Sequence, residues 1–458
     1  MVNNERTEIM ASAKGFKKRL TPFQAIVTYY FIAIAISFIL LILPGVHKEN
    51  VHVSLLDSLF TAVSAVSVTG LTVNNISETY SVFGVIMLSV IMQLGAIGIM
   101  SLGTFTWLIF GKKIGLRERQ LIMVDHNQYN LSGVVHLIKE IIKLLLMIEL
   151  IGTAILTLYF TQYFDTFLEA LYNGFFAAIS ATTNGGFDIT GNSMYLFRHD
   201  YFVQVINMIM IALGAIGFPV LIEVKAFLSN KTPNFKFSLF TKITTSTYAI
   251  LFIVGTAVIL LLEAFNAFKG MSWHQAFFTA MFHSVSARSA GLTTIDVTQF
   301  HQATDIFLSL LMFIGASPSS VGGGIRTTTL AIAILFLINF ARNKQDIQIF
   351  HREIHVLDVF RSYVVIILST CLVVLATMIL SLTESHASLI EILFEITSAF
   401  GTCGMSLGLT EHLSSIGKVV MIFLMFIGRV GMISFLYSLG GKAKQTKYHY
   451  PKERVIIG

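Results

Sequence analysis

A short pattern, Phe-x-x-x-Ser-Ala followed after three or four residues by Gly, occurs four times in this chain. It runs through Phe60, Ser64, Ala65 and Gly70; Phe176, Ser180, Ala181 and Gly186; Phe282, Ser286, Ala287 and Gly291; and Phe394, Ser398, Ala399 and Gly404. Successive glycines are 116, 105 and 113 residues apart, and each copy is flanked by long apolar segments. Four short helices that end in a glycine turn, set between apolar helices, point to four re-entrant loops around one axis. That is the geometry of a pore.

The apolar segments decide the solvent. Mean hydropathy is +0.76 and only 12% of residues are charged, which marks an all-α polytopic membrane protein. Uncharged stretches long enough for a hydrocarbon layer of about 30 Å cover 24–43, 81–110, 202–222, 243–262, 306–325 continuing to 340, and 363–383. Two more carry one charge each, 144–164 with Glu149 and 419–440 with Arg429, making eight expected spans. The basic start (Lys14, Lys17, Lys18, Arg19) leads into a segment too long for a signal-peptide core and without a cleavage-like site, so it is expected to be retained. Cys371 and Cys403 both fall in apolar or loop-tip sequence, which does not suggest a disulfide framework.

Orientation follows from Lys and Arg. They number five before the first span, six in 112–143, four in 225–242, four in 342–361 and five in 442–454, whereas the alternate connections hold only Lys48, Arg198 and Lys269. The positive-inside rule therefore places both termini in the cytoplasm of a cell-membrane protein. The net charge of +6 reflects this topology and calls for no nucleic acid; the basic loops are suited to anionic membrane lipid or an acidic partner.

Each repeat then reads as outer helix, external turn, half-length helix, glycine tip and inner helix. The expected division is a cytoplasmic segment over 1–21, pore repeats over 22–140, 141–240, 241–358 and 359–441, and a cytoplasmic tail over 442–458. The half-helices, about 55–67, 167–182, 273–288 and 388–400, are too short to cross, so they dip in and return. Non-helical backbone at that depth is tolerated only where protein buries it or a wet cavity faces it. The tips hold Thr69 and Gly70; Asn184, Gly185 and Gly186; Ala290 and Gly291; and Cys403 and Gly404. None carries an acidic ring, so backbone carbonyls are expected to replace the water of a cation, with glycine keeping the pore free of side chains. The half-helices would also aim their partially negative C-terminal ends at the centre. The plainer alternative is that these glycines only let helices pack closely.

In combination, the tips VTGL, NGGF, SARSAGL and FGTCG, the segment GASPSSVGGGIRTTT and the later FIGRVG resemble the Trk/Ktr/HKT superfamily of potassium transporters, specifically the membrane subunit of a bacterial Ktr system. The resemblance covers nearly the whole chain from about residue 22. It implies K⁺ uptake through a pseudo-fourfold pore with K⁺ in the filter, a homodimer of pores whose C-terminal tail, ending at Gly458, packs at the dimer interface, and gating by a cytosolic octameric ring that binds nucleotide. It implies no cofactor in this chain, and leaves Na⁺ coupling open. Two positions depart from the family pattern: Gly185 stands where Ala is more usual, and Met432 follows Gly431 where Pro is common.

Ser317, Pro318, Ser319, Ser320, Val321, Gly322, Gly323 and Gly324 interrupt an otherwise apolar run. Proline lacks a donor and glycine disfavours helix by roughly 1 kcal/mol relative to alanine, so a break is expected at mid-membrane facing a wet cavity. It either blocks the ion path and swings aside or serves as a packing kink; the resemblance implies a gate over 315–329. Ion preference is expected to survive changes here, because the filter glycines are untouched. Arg429, about ten residues into the last span, needs a polar partner, expected to be the carbonyls of Gly322–Gly324. Arg288 either braces the third tip or reaches external water, Glu149 either attracts cations or is hydrogen-bonded between helices, and Lys418 is expected at the interface.

Enzyme readings fail on spacing. In His351-Arg352-Glu353-Ile354-His355 the Glu is third, unlike the zinc-protease motif, and the chain has no Gly-x-x-x-x-Gly-Lys loop and no Cys-x-x-Cys. The other transport class, alternating access for another small cation or solute, usually shows inverted repeats and paired broken helices. Here the repeats run parallel, four in number, and only one inner helix reads as broken.

Overall fold

The computed structural model describes residues 21–98, 134–229, 235–344 and 347–439, with a few isolated positions besides. The basic N-terminal segment, the second half of the expected 81–110 span, most of the first cytoplasmic loop and the tail lie outside the described residues. Among the described residues, four helices are long and apolar enough to cross a membrane: α1 (Pro22–Ile42), α4 (Val134–Phe160), α8 (Leu239–Glu263) and α12 (Val356–Thr383). Each is followed by a half-length helix, respectively α2 (Leu55–Ser67), α5 (Phe167–Thr182), α9 (Trp273–Ser286) and α13 (Leu389–Gly401), and packs along it.

Local chemistry starts three of these half-helices in the same way. Ser54, Thr166 and Ser388 accept the N–H of Asp57, Glu169 and Glu391 at 3.1, 3.2 and 3.3 Å, which places a carboxylate in the first turn against the positive helix end. In the fourth repeat Glu391 also accepts the Ser388 N–H, completing a capping box. The third half-helix lacks a side-chain cap at Ser272 and stops at Ser286, two residues before the expected end.

The inner helices are α3 (Val82–Ile97), α6 (Tyr201–Ala215), α10 (Gln302–Ile314) and α14 (Ser415–Val430). All four end short of a full span, at Ile97, Ala215, Ile314 and Val430, which corrects the expectation of a single break. Gly98, Gly217 and Gly431 adopt φ of +85°, +101° and +88° just beyond three of them. The chain then turns by 105° into α7 (Phe218–Ser229) and by 99° into α15 (Met432–Leu439), so two expected straight spans are bent pairs. A lone glycine in an apolar run carries little sequence signal, yet the left-handed region it enters is one that other residues rarely adopt. After α10 the chain instead makes a long excursion before α11 (Thr327–Ala341).

Each inner helix packs on the half-helix of the next repeat: α3 on α5, α6 on α9, α10 on α13, and α14 back on α2. The packing order closes on itself. At the seam between the fourth and first repeats, Lys418 of α14 pairs with Asp57 of α2 at 2.6 Å, both side chains 15% exposed; the residue expected at the interface is therefore tied to a partner. Lys418→Met alone should destabilise the protein by about 2 kcal/mol, since it strands a largely buried carboxylate, while Asp57→Asn added to it should restore most of the loss. Thermal unfolding in detergent measures both. One small antiparallel hairpin, β1 (Gln348–Ile349) with β2 (Arg352–Glu353), departs from the all-α expectation and holds the His351–His355 stretch, where His355 caps α12.

Candidate functional site

The repeated serine explains how each glycine turn is built. Its carbonyl accepts an N–H five residues on: Ser64 from Thr69 (2.8 Å), Ser180 from Gly185 (2.8 Å), Ser286 from Gly291 (3.1 Å) and Ser398 from Cys403 (2.9 Å). This six-to-one bond ends a helix by turning the chain sharply out of it. The hydroxyl then locks the tip. Ser64 and Ser398 accept the N–H of Gly70 and Gly404, both at 3.1 Å, whereas Ser180 and Ser286 donate to the carbonyls of Phe187 (2.7 Å) and Leu292 (2.6 Å). The sequence shows the serine recurring but not this role, because the partners lie beyond the helix.

Gly70, Gly186, Gly291 and Gly404 have φ of +90°, +71°, +67° and +100°. Two residues earlier, Val68, Asn184 and Thr402 are also left-handed, at +56°, +53° and +49°, an uncommon state for any side chain and a strained one for valine. The third tip differs: one residue fewer separates Ser286 from Gly291, and Ser289 is not left-handed.

The structure brings the four tips together. A methyl group placed on Gly70 would meet the Gly185 carbonyl oxygen at 2.7 Å, and one on Gly186 would meet that of Ala290 at 2.7 Å. On Gly291 it would strike the Cys403 oxygen, and on Gly404 the Thr69 oxygen. The glycines thus run first to second, second to third, third to fourth and fourth to first, each against carbonyls of the next tip. Thr69, Asn184, Ala290 and Cys403 are fully buried in this ring, and Gly185 packs against Met92 of α3. Cys403 is a free thiol, as is the exposed Cys371.

Residues 315–326 form the excursion between α10 and α11, and its polar backbone is widely partnered. Ser317 and Val321 donate to the carbonyls of Ala215 (3.1 Å) and Gly214 (3.3 Å) at the end of α6, and Ser319 accepts from Phe218 (2.9 Å) at the start of α7. Its neck is closed by Ala316 donating to Gly323 (3.2 Å), Ile325 to Phe313 (3.2 Å) and Arg326 to Ile314 (2.9 Å). Ser320 Oγ bonds the Ser317 carbonyl and Ser317 Oγ meets Thr327. Pro318, Ser319, Ser320, Gly324, Arg326 and Arg429 border a cavity of about 750 Å³ that reaches the hairpin and the start of α12.

Arg429 donates to the carbonyl of Val321, one residue before the expected stretch, and also to Gly95 at the end of α3. The Gly322 carbonyl is taken by Arg326, a residue the sequence reading left without a role. Arg326 could have been found: it directly follows the triple glycine, and a guanidinium beside a run of free carbonyls has few other uses at that depth.

The family model for TrkH, described as a cation transport protein, matches residues 7–446. The chain belongs to this family. Among curated relatives, "Ktr system potassium uptake protein D" of Bacillus subtilis is 56% identical over 439 residues, 96% of this chain and 98% of that protein. "Ktr system potassium uptake protein B" of the same organism is 34% identical over 445 residues (96% and 97%), and "Potassium/sodium uptake protein NtpJ" of Enterococcus hirae is 34% identical over 456 (97% and 99%). The crystal structure of the potassium transporter TrkH from Vibrio parahaemolyticus shares the fold, with a TM-score of 0.69 at 19% identity over 93% of this chain and 86% of that one. The TrkH-family chain is thus a multi-pass membrane transporter and not an enzyme.

Two charges singled out in the sequence, Arg288 and Glu149, and one that was not, Glu395, lie apart from the tips' contact ring. Arg288 is fully buried, stacks on the Tyr248 ring at 3.6 Å and donates to the Tyr248 carbonyl at 3.1 Å, so it ties the third tip to α8 rather than reaching water. Glu149 of α4 is buried with its carboxylate beside Gln93 of α3, between two helices. Glu395 of α13 is buried and accepts from Leu407 (3.0 Å) and Thr410 (2.6 Å), which orders the chain that leaves the fourth tip.

Proposed function

We propose that this chain takes K⁺ into the cell through a pore whose ion filter is lined by the carbonyls of the four glycine tips. The observation that carries the reading is the closed sequence of contacts in which each tip glycine lies against a carbonyl of the next. In that arrangement four half-helices end around one ring, with their negative ends and the tip carbonyls available to replace a cation's hydration shell. On this reading Thr69, Gly70, Asn184, Gly185, Gly186, Ala290, Gly291, Cys403 and Gly404 form the filter, the repeats are pseudo-fourfold, and eight spans cross the membrane with both termini in the cytoplasm.

The excursion from Ser317 to Gly324, held by Arg429 and Arg326, is the gate. Two guanidiniums beside the path raise the barrier for a cation while the loop is in place. The kinship to Ktr-system proteins supports a partner regulatory subunit, and the NtpJ name gives a reason to test Na⁺ coupling. On this reading the chain works as a homodimer controlled by a cytosolic octameric ring of nucleotide-binding subunits. Expression in a potassium-requiring host should restore growth at low K⁺ and uptake of ⁸⁶Rb⁺. A carrier for a non-ionic solute would restore neither.

A further inference from the structure

The 317–324 loop and the glycine tips, read above as blocking and selecting, touch each other. A methyl group on Gly322 would meet the Cβ atoms of Ala316 at 2.6 Å and Ser289 at 2.9 Å. One on Gly323 would meet Cγ2 and Oγ1 of Thr402, both at 2.7 Å, and the Gly428 carbonyl at 2.9 Å. Val321 shares a buried apolar cluster with Val68. With its amide turned to satisfy its neighbours, Asn184 accepts from Ser289 Oγ at 3.0 Å and donates to the Ala181 carbonyl at 2.9 Å. Val68, Asn184, Ser289 and Thr402 are equivalent positions, each two residues before its tip glycine.

We propose that Val321, Gly322 and Gly323 are positioning residues that form the floor of the ion filter, so that ion preference depends on the loop as well as flux. This rests on the pore reading above, and it revises the expectation that selectivity is independent of the loop. Three residues of one segment meet two of the four equivalent tip positions directly, share an apolar cluster with a third, and reach the fourth through Ser289. Three of those four positions are held left-handed, a state that persists only where surroundings over-determine it. With the floor in place the carbonyls above it are fixed at one spacing. Without it, the tips relax and the ring accommodates a smaller cation.

Gly322→Ala tests this in proteoliposomes, with Na⁺ and Rb⁺ competing for uptake. The added methyl is pressed between Ala316 and Ser289, so the preference for K⁺ or Rb⁺ over Na⁺ should fall severalfold, and it should recover in part when Ala316→Gly makes room while leaving the Ser289 hydroxyl on Asn184. Shortening the loop by several residues should lower the same ratio, and serves alone if Gly322→Ala does not fold. A changed flux with an unchanged ratio in the loop variants would overturn the proposal and leave the loop as a plug only. The Ser variants of Gly70, Gly186, Gly291 and Gly404 measured alongside separate the two readings: if all four also leave the ratio unchanged, the filter assignment has failed and the floor falls with it.

Discussion

Gly70→Ser, Gly186→Ser, Gly291→Ser and Gly404→Ser should each reduce the preference for K⁺ over Na⁺ by on the order of tenfold, equivalent to about 1.4 kcal/mol of differential stabilisation. Two effects act together. All four glycines have positive φ, so any side chain strains the turn, and the new Cβ would press on a carbonyl oxygen or backbone atom of the adjacent tip. The ring then opens unevenly, and carbonyls that moved apart surround a large cation less completely. The half-helices keep their caps and their serine locks, so the protein should remain folded and purify normally. Rb⁺ uptake measured against increasing Na⁺ reads the ratio directly. Unchanged selectivity in all four single variants would remove the tips from the ion path.

Shortening the 317–324 segment should raise K⁺ flux severalfold and weaken its dependence on a cytosolic partner, because the block is gone whatever the partner does. Arg429→Ala should move flux in the same direction but less. It releases the Val321 and Gly95 carbonyls and removes one positive charge, yet Arg326 still holds Gly322. Flux in proteoliposomes with and without the partner separates the cases. If deletion lowers flux, or leaves partner control intact, the loop is structural and the gate lies elsewhere.

The half-helices and their glycines were legible because they repeat: one Ser-Ala with a following Gly means little, and four in register mark a shared turn. Their bounds came within two residues, since Ser or Thr caps and apolar runs are local signals. What escaped were features made by contact. Gly98, Gly217 and Gly431 each look like ordinary small residues in apolar helices, although Gly95-Ala96-Ile97-Gly98 and Gly214-Ala215-Ile216-Gly217 are the same motif and Gly428 and Gly431 repeat its spacing. That shared spacing is the signal in the inner helices of their common break. Arg288 against Tyr248, and Lys418 against Asp57, pair residues far apart in the chain, and no spacing rule reaches them.

If the excursion between α10 and α11 is the gate, its closed neck decides how that gate can move. Ile325 is bonded to Phe313 and Arg326 to Ile314, so the two ends of the excursion lie side by side and the segment between them is a cul-de-sac in the chain. Its movement neither lengthens nor shortens the connection between α10 and α11. On the gate reading the segment can leave the path without sliding α10 against α11. Opening is then a local fluctuation that breaks the hydrogen bonds to Gly214, Ala215, Phe218 and Arg429, in the microsecond-to-second range of lid opening and local unfolding. A partner outside the membrane need only shift how often that fluctuation occurs, by bearing on the hydrogen bonds to the ends of α6 and α7 that hold the segment in place.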